Sequence, residues 1–532
     1  MRDNVSDSSV EATKPPGRTM FGHPRGLFVL FLAEMWERFC YYGMRGLLTL
    51  YLTKALLMGD STAFGIYGAY TALVYAAPVL GGKIADELLG YRRAVVLGGL
   101  LMAAGEFVLL GGNEFSLYVG MGLIIVGNGY FKANISSIVG RLYEDGDPRR
   151  DSGFTIFYMG INLGALLATT LCAWVGETFG YHYGFGLAGI GMLLGVAVFL
   201  GGRNWLEGHG QPPDPERLYG RSKLGISRYW LTVLLSVAAV PALYLMLRYN
   251  QVVGWLLALV AVYVVGNLLV VGFKSGRVQR DRIIVLLILM VFNIVFWACF
   301  EQAGTSLTLF ADRNVDRYIS FLDWEMGAAM TQFFNPFYIL VFGSIFSAMW
   351  IKLERSGLNP NIPMKFGLGI VQLGGGYLLL LVGAQLAGES ALVPLWILGF
   401  MYLLHTTGEL FLSPIGLSMV TKLAPKSMTG TVMGAWFLSF AGSNYVAALL
   451  AKLTGGEEGG GEEKLTGTME EFVTRGSEML TDPFWAQELV KAQDSLSGYV
   501  DIYGLMGWIT LGIGVFLVLI SWPLNKMMHG VK

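Results

Sequence analysis

Eight ionisable residues lie inside long apolar runs of this 532-residue chain: Glu34, Glu37, Arg38, Arg45, Lys132, Glu301, His405 and Glu409. Such groups are costly in hydrocarbon unless they face water, a partner or a charged ligand, so each is a candidate for carrying a proton or holding a charge. The densest cluster is EMWERFCYYGMR, Glu34 to Arg45. At about 100° per residue, Glu34, Arg38, Tyr41 and Arg45 recur at spacings of four, three and four and form one narrow stripe, with Glu37 about 60° to one side. At about 1.5 Å per residue the stripe is roughly 16 Å long, about half the hydrocarbon thickness. It cannot face lipid; it lines an aqueous cavity or meets partners on other helices. A static ion-pair network is the blander reading, but polar contacts within membranes stabilise only modestly.

Partners for the stripe are scattered along the chain. Lys132 sits mid-helix in GNGYFKANIS and needs an acid to keep its charge when buried, which Glu34 or Glu37 could supply. Glu301, in FWACFEQAG, is a lone acid for which Arg45 is the matching cation. Glu409, in HTTGELFLSPIG, is a third buried acid, and His405 lies four residues earlier on the same face. That histidine either titrates near neutral pH or is a hydrogen-bonded structural group. Lys83, Asp86, Glu87 and Glu106 fall closer to span ends. Asn335-Pro336 and Ser413-Pro414 interrupt the backbone ladder within spans, as moving helices or ordinary kinks do. HExxH, P-loop and GxSxG motifs are absent, and Gly184-Phe-Gly186-Leu-Ala-Gly189 has no preceding strand, so helix packing explains it better than a dinucleotide. Cys40, Cys172 and Cys299 all fall in apolar runs and suggest neither a disulfide framework nor a metal site.

The elements that must position these residues are membrane helices. The chain is 54% hydrophobic and only 14% charged, with mean hydropathy +0.55, where soluble chains are about 25% charged. A net charge of -1 leaves no basic surface for nucleic acid. Runs near 20 apolar residues place helices at 26–55, 62–88, 93–111, 115–142, 153–175 and 182–202, then 227–247 and 251–272. Six more follow at 282–310, 324–352, 365–386, 391–421, 428–452 and 500–525. The expected fold is all-α: two six-helix bundles (26–203 and 281–532) with two extra helices in the connector 204–280. Lys and Arg concentrate in alternate loops, among them Arg92, Arg93, Arg149, Arg150, Arg277 and Lys352, which predicts cytoplasmic ends. The polar tail 1–25 lacks a signal-peptide core. Residues 453–499, with GGEEGGGEEK, read as a flexible external loop.

Several motifs resemble one family. Glu34-x-x-Glu37-Arg38-Phe39-x-Tyr41-Tyr42 resembles the ExxERFxYY motif of the proton-dependent oligopeptide transporters. FYMGINLG at 157–164, FWACFEQAGTSL at 296–307 and GELFLSPIG at 408–416 resemble their fifth-, seventh- and tenth-helix signatures. GGKIADELLGYRR at 81–93 resembles the loop motif of the wider major facilitator superfamily, although Glu87 stands where an Arg usually follows the Asp. The resemblance runs from about residue 22 to the end in the correct order, and the extra helix pair is characteristic of the bacterial branch. The 453–499 segment is longer than bacterial relatives usually have.

The resemblance implies a major facilitator fold of fourteen helices and a multi-pass inner-membrane symporter, not an enzyme, that imports di- and tripeptides with protons. It implies that Glu34, Glu37, Arg38 and Lys132 form the coupling network and that Glu301 is a protonation site pairing with Arg45. Arg45 and Lys132 would lie near the peptide carboxylate, Glu409 and Asn162 would receive its amino terminus with Asn335 nearby, and Tyr41, Tyr70 and Trp436 would line the pocket. No cofactor is expected beyond the coupling proton, and the expected partners are peptide, proton and lipid bilayer, with the protein a monomer. Nitrate or organic-anion transport is the nearest alternative; Glu409 opposes it by repelling anions. An intramembrane peptidase lacks a catalytic constellation, and intact charges argue against a transport-dead sensor.

Overall fold

The computed structural model describes residues 19–144, 146–424, 429–454 and 483–531. The tail at 1–18 and the Gly- and Glu-rich part of the expected external loop lie outside these. Helix dominates the described residues. α1 spans Arg25–Leu50, α2 Asp60–Leu89, α3 Tyr91–Leu109, α4 Glu114–Arg141, α5 Arg150–Phe179 and α6 Tyr181–Gly201. α7 spans Arg228–Arg248 and α8 Gln251–Lys274. α9 spans Arg277–Asn314, α10 Ala329–Arg355, α11 Ile362–Ala387, α12 Leu395–Leu423, α13 Thr429–Lys452 and α14 Pro483–Met527. Among the described residues, eleven helices are long and apolar enough to cross a membrane. The expected spans outside that set, α1, α3 and α4, are unbroken helices that each carry at least three charged residues.

Local chemistry sets several boundaries. Asn113 caps α4 reciprocally with Ser116, accepting from its N–H at 2.9 Å. Asn361 caps α11 through the Met364 N–H at 2.9 Å, with Pro363 in the first turn. Gly90 (φ 70°) and Gly180 (φ 121°) each turn the chain in a single residue, between α2 and α3 and between α5 and α6.

In the first half, α1 packs on α5 and α6, α3 on α4 and α6, and α2 on α4. In the second, α11 packs on α12 and α14, α9 on α13, and α10 on α12. The halves meet along α2–α13 and α5–α10, while α7 and α8 cover α2, α4, α9 and α13 from outside. Trp255, Leu259, Val262 and Tyr263 on α8 are exposed, as lipid-facing side chains are. Small residues permit the central contact: a Cβ on Gly68 of α2 would stand 2.2 Å from the Ala448 Cβ of α13.

Four details differ from the sequence expectation. α9 is interrupted at Glu301–Gly304 by a 3-10 turn, after which Thr305 has φ -124° and ψ -102°. Turns of π-helix occur at Tyr51–Ala55, Ala85–Leu89 and Ala168–Cys172, local irregularities often found at functional positions. Pro336 does not break a span. It lies in the first α-helical turn of α10, after a 3-10 turn at Ala329–Phe333, where it costs little. α14 begins at Pro483, inside the segment expected as loop up to 499. Its charged first turns lack a spanning apolar run, but they pack on α9: Asn314 Nδ2 donates to the Ala492 carbonyl at 2.9 Å and Ser495 donates to Asn314 Oδ1 at 2.9 Å.

Candidate functional site

The α1 stripe is buried along its length, and Glu34, Glu37, Arg38, Tyr41 and Arg45 are all nearly inaccessible. Arg38 Nε lies 3.0 Å from Glu34 Oε1 and 2.5 Å from Glu37 Oε2. Two carboxylates thus share one guanidinium, so the trio carries an excess negative charge that a proton can neutralise. Asn128 of α4 donates to Glu37 Oε1 at 3.0 Å. Lys132, one turn further along α4, does not pair with either acid as the sequence suggested. Its Nζ sits 4.0 Å from the centre of the Tyr75 ring, and no carboxylate among the described residues lies at ion-pair distance. Both glutamates remain within its electrostatic reach.

At the other end of the stripe Arg45 crosses between the halves. Its Nη2 donates to Glu301 Oε2 and its Nε to the Tyr67 hydroxyl at 2.5 Å. The guanidinium also stands 5.7–5.9 Å from the rings of Tyr41, Tyr42 and Tyr67. Glu301 begins the 3-10 break in α9, and the Gly304 carbonyl freed there accepts from Thr49 Oγ1 at 2.5 Å. Gln332 of α10 donates to the Gly46 carbonyl of α1 at 3.2 Å. Further pairs tie the same end together: Lys54 with Asp312 at 2.5 Å, Asp60 with Arg313 at 2.7 Å, and Glu177 with the N–H groups of Ala328 and Ala329. The ion pairs Arg45–Glu301, Lys54–Asp312 and Asp60–Arg313 join the halves at this end, called here the closed end.

The second half supplies the opposite charge. Glu409 of α12 is buried and accepts from Asn335 Nδ2 at 3.0 Å, and the same nitrogen reaches Thr406 Oγ1 at 3.1 Å. Tyr75 lies within electrostatic reach of Lys132, Arg45, Arg38 and Glu409. Cations of the first half and an acid of the second thus lie around one aromatic side chain. Asn162 is buried on α5 and donates to its own helix at Tyr158 O (3.0 Å), and the Tyr158 hydroxyl is within electrostatic reach of Glu409. Trp436 is buried on α13, edge-on to Phe440, which stacks on Tyr75. Tyr41 and Tyr70 are fully buried, and their hydroxyls have no partner among the described residues.

Two singled-out groups lie elsewhere. His405 packs against Tyr377 (4.8 Å between ring centres) and Phe300 within the second half. Glu106, read as close to a span end, is fully buried and accepts a weak bond from Cys40 Sγ at 3.4 Å. Sequence reasoning missed Tyr67, Tyr75, Asn128 and Thr406. Asn128 precedes Lys132 by one helical turn, and Tyr67, Thr71 and Tyr75 repeat every four residues. Those spacings were the available signal.

A sequence profile of the POT family matches residues 92–462. YclF, an uncharacterized transporter of Bacillus subtilis, is 37% identical over 446 residues, 82% of this chain and 89% of its own length. Dipeptide and tripeptide permease A of Erwinia pyrifoliae is 35% identical over 510 residues, 95% of each chain. A crystal structure of a peptide transporter POT variant in complex with alafosfalin matches with a TM-score of 0.77 at 33% identity, covering 97% of this chain and 98% of that one. The chain belongs to the POT family, a family of secondary transporters rather than enzymes.

Proposed function

We propose that the protein is a proton-coupled symporter that carries di- and tripeptides across the cell's inner membrane by alternating access. In this reading all fourteen helices span the bilayer, both ends are cytoplasmic, and the closed end faces outward. The halves 26–203 and 281–532 rock about the space between Lys132, Arg45 and Glu409. A dipeptide is a zwitterion, and its carboxylate would meet Lys132 and Arg45 while its amino group meets Glu409, Asn162 and Asn335. A unit charge about 4 Å from Glu409 gains about 4 kcal/mol at an effective dielectric of about 20, and an anion loses the same amount. Tyr41, Tyr70 and Trp436 would wall the pocket without demanding one side chain.

The observation that carries this reading is the Arg45–Glu301 pair, a buried ion pair joining the two halves beside the charged space. A proton on Glu301 would remove its charge, release Arg45 to the peptide and loosen the closed end. A proton shared by Glu34 and Glu37 would likewise change the field at Lys132. The test is Glu301→Gln in proteoliposomes. Uptake driven by a proton gradient should be lost, while exchange of labelled for unlabelled dialanine persists. Full driven uptake by this variant would remove Glu301 from the coupling step.

A further inference from the structure

We propose that Glu177 is a latch that holds the two halves together at the closed end. This rests on the alternating-access reading above. Glu177 lies in the last turn of α5, in the first half. Its Oε1 accepts from the Ala328 N–H at 2.7 Å and its Oε2 from the Ala329 N–H at 3.1 Å, both at the start of α10 in the second half. These are among the first N–H groups of a helix, which lack partners within the helix and sit at the positive end of its dipole. A carboxylate straddling two successive N–H groups satisfies both with one side chain.

The surroundings are shaped for that side chain. A Cβ on Gly327 would stand 2.2 Å from Glu177 Oε2, so glycine is what lets the carboxylate reach the backbone. Arg317 is within electrostatic reach of Glu177 but is already held by Glu325 at 3.0 Å and by the Met326 carbonyl at 2.6 Å. The carboxylate is thus directed at the helix start rather than at a cation. Because α5 and α10 belong to different halves, the contact exists only while this end is closed. It adds a link on the α5–α10 side to Arg45–Glu301, Lys54–Asp312 and Asp60–Arg313, which tie α9 to α1 and α2.

The test measures separation of the halves in lipid nanodiscs with spin labels at Leu110→Cys and Leu386→Cys, exposed positions toward the closed end, one in each half. The three native cysteines are buried. Glu177→Ala removes the acceptor, and Gly327→Ala displaces it without touching the carboxylate. Each should raise the ratio of long to short separations about tenfold, the change expected from losing about 1.4 kcal/mol of charge-assisted hydrogen bonding. The double variant should open no further than either single one. A second label pair within the first half, Leu110→Cys with Thr62→Cys, should not change, which a general loosening of the fold would not allow. If the labelled parent protein opens with dialanine and a change of pH while both variants match it, the latch alone is overturned. If the parent never populates a longer separation, the alternating-access reading falls and the latch with it.

Discussion

The charged stripe of α1 divides in the structure into two neighbourhoods. Glu34, Arg38 and Glu37 form a tight local trio, and Arg45 reaches across to the other half. The Arg45–Glu301 pairing was legible in the sequence because lone charges in apolar runs have few possible partners. The partner of Lys132 was not. Asn128 and Lys132 occupy the same face of α4 one turn apart, and spacing alone cannot say which one meets Glu37. The structure gives Glu37 to Asn128 and sets Lys132 on the Tyr75 ring. In the proposed function Lys132 meets the carboxylate of the substrate. Lys132→Ala should abolish gradient-driven dialanine uptake in proteoliposomes; retained driven uptake would exclude the lysine from coupling. Glu409→Gln keeps the hydrogen-bonding shape beside Asn335 but removes the charge. Dialanine binding measured by calorimetry should weaken by about tenfold or more, the size of one charge-assisted contact. Unchanged affinity would show that the amino terminus binds elsewhere.

Among the elements, the positions of the helices followed from apolar length, and every expected span coincides with a helix in the structure. Features that depend on tertiary contact did not show in the sequence. The 3-10 break at Glu301–Gly304 is stabilised by Thr49 from α1, a contact some 250 residues away in sequence. The first turns of α14 are polar and read as loop, yet Asn314 of α9 holds them by donating to the Ala492 carbonyl and accepting from Ser495. The approach of α2 to α13 is likewise invisible in one sequence, because Gly68 carries no signal of what it faces. Gly68→Ala should force the two helices apart, an overpacking cost of about 1–3 kcal/mol. Dialanine uptake should fall several-fold, and Ala448→Gly in the same protein should restore it by vacating the space. Failure of that rescue would mean that the α2–α13 contact is not what Gly68 serves.

For the whole molecule, the two halves are joined at one end by buried and part-buried charge pairs, and opposite charges from the two halves lie around Tyr75. That arrangement accounts for a zwitterionic cargo and for a dependence on protonation at once. Either property alone would fit other cargoes. Their combination is what the sequence motifs implied and what the placement of Glu301, Arg45, Lys132 and Glu409 supports. The most direct test is uptake of labelled dialanine into proteoliposomes containing the purified protein, acidic outside and neutral inside. The account predicts accumulation above the external concentration, abolished by a protonophore and competed by di- and tripeptides but not by nitrate. Accumulation indifferent to the protonophore, or uptake competed by nitrate and not by peptides, would contradict it.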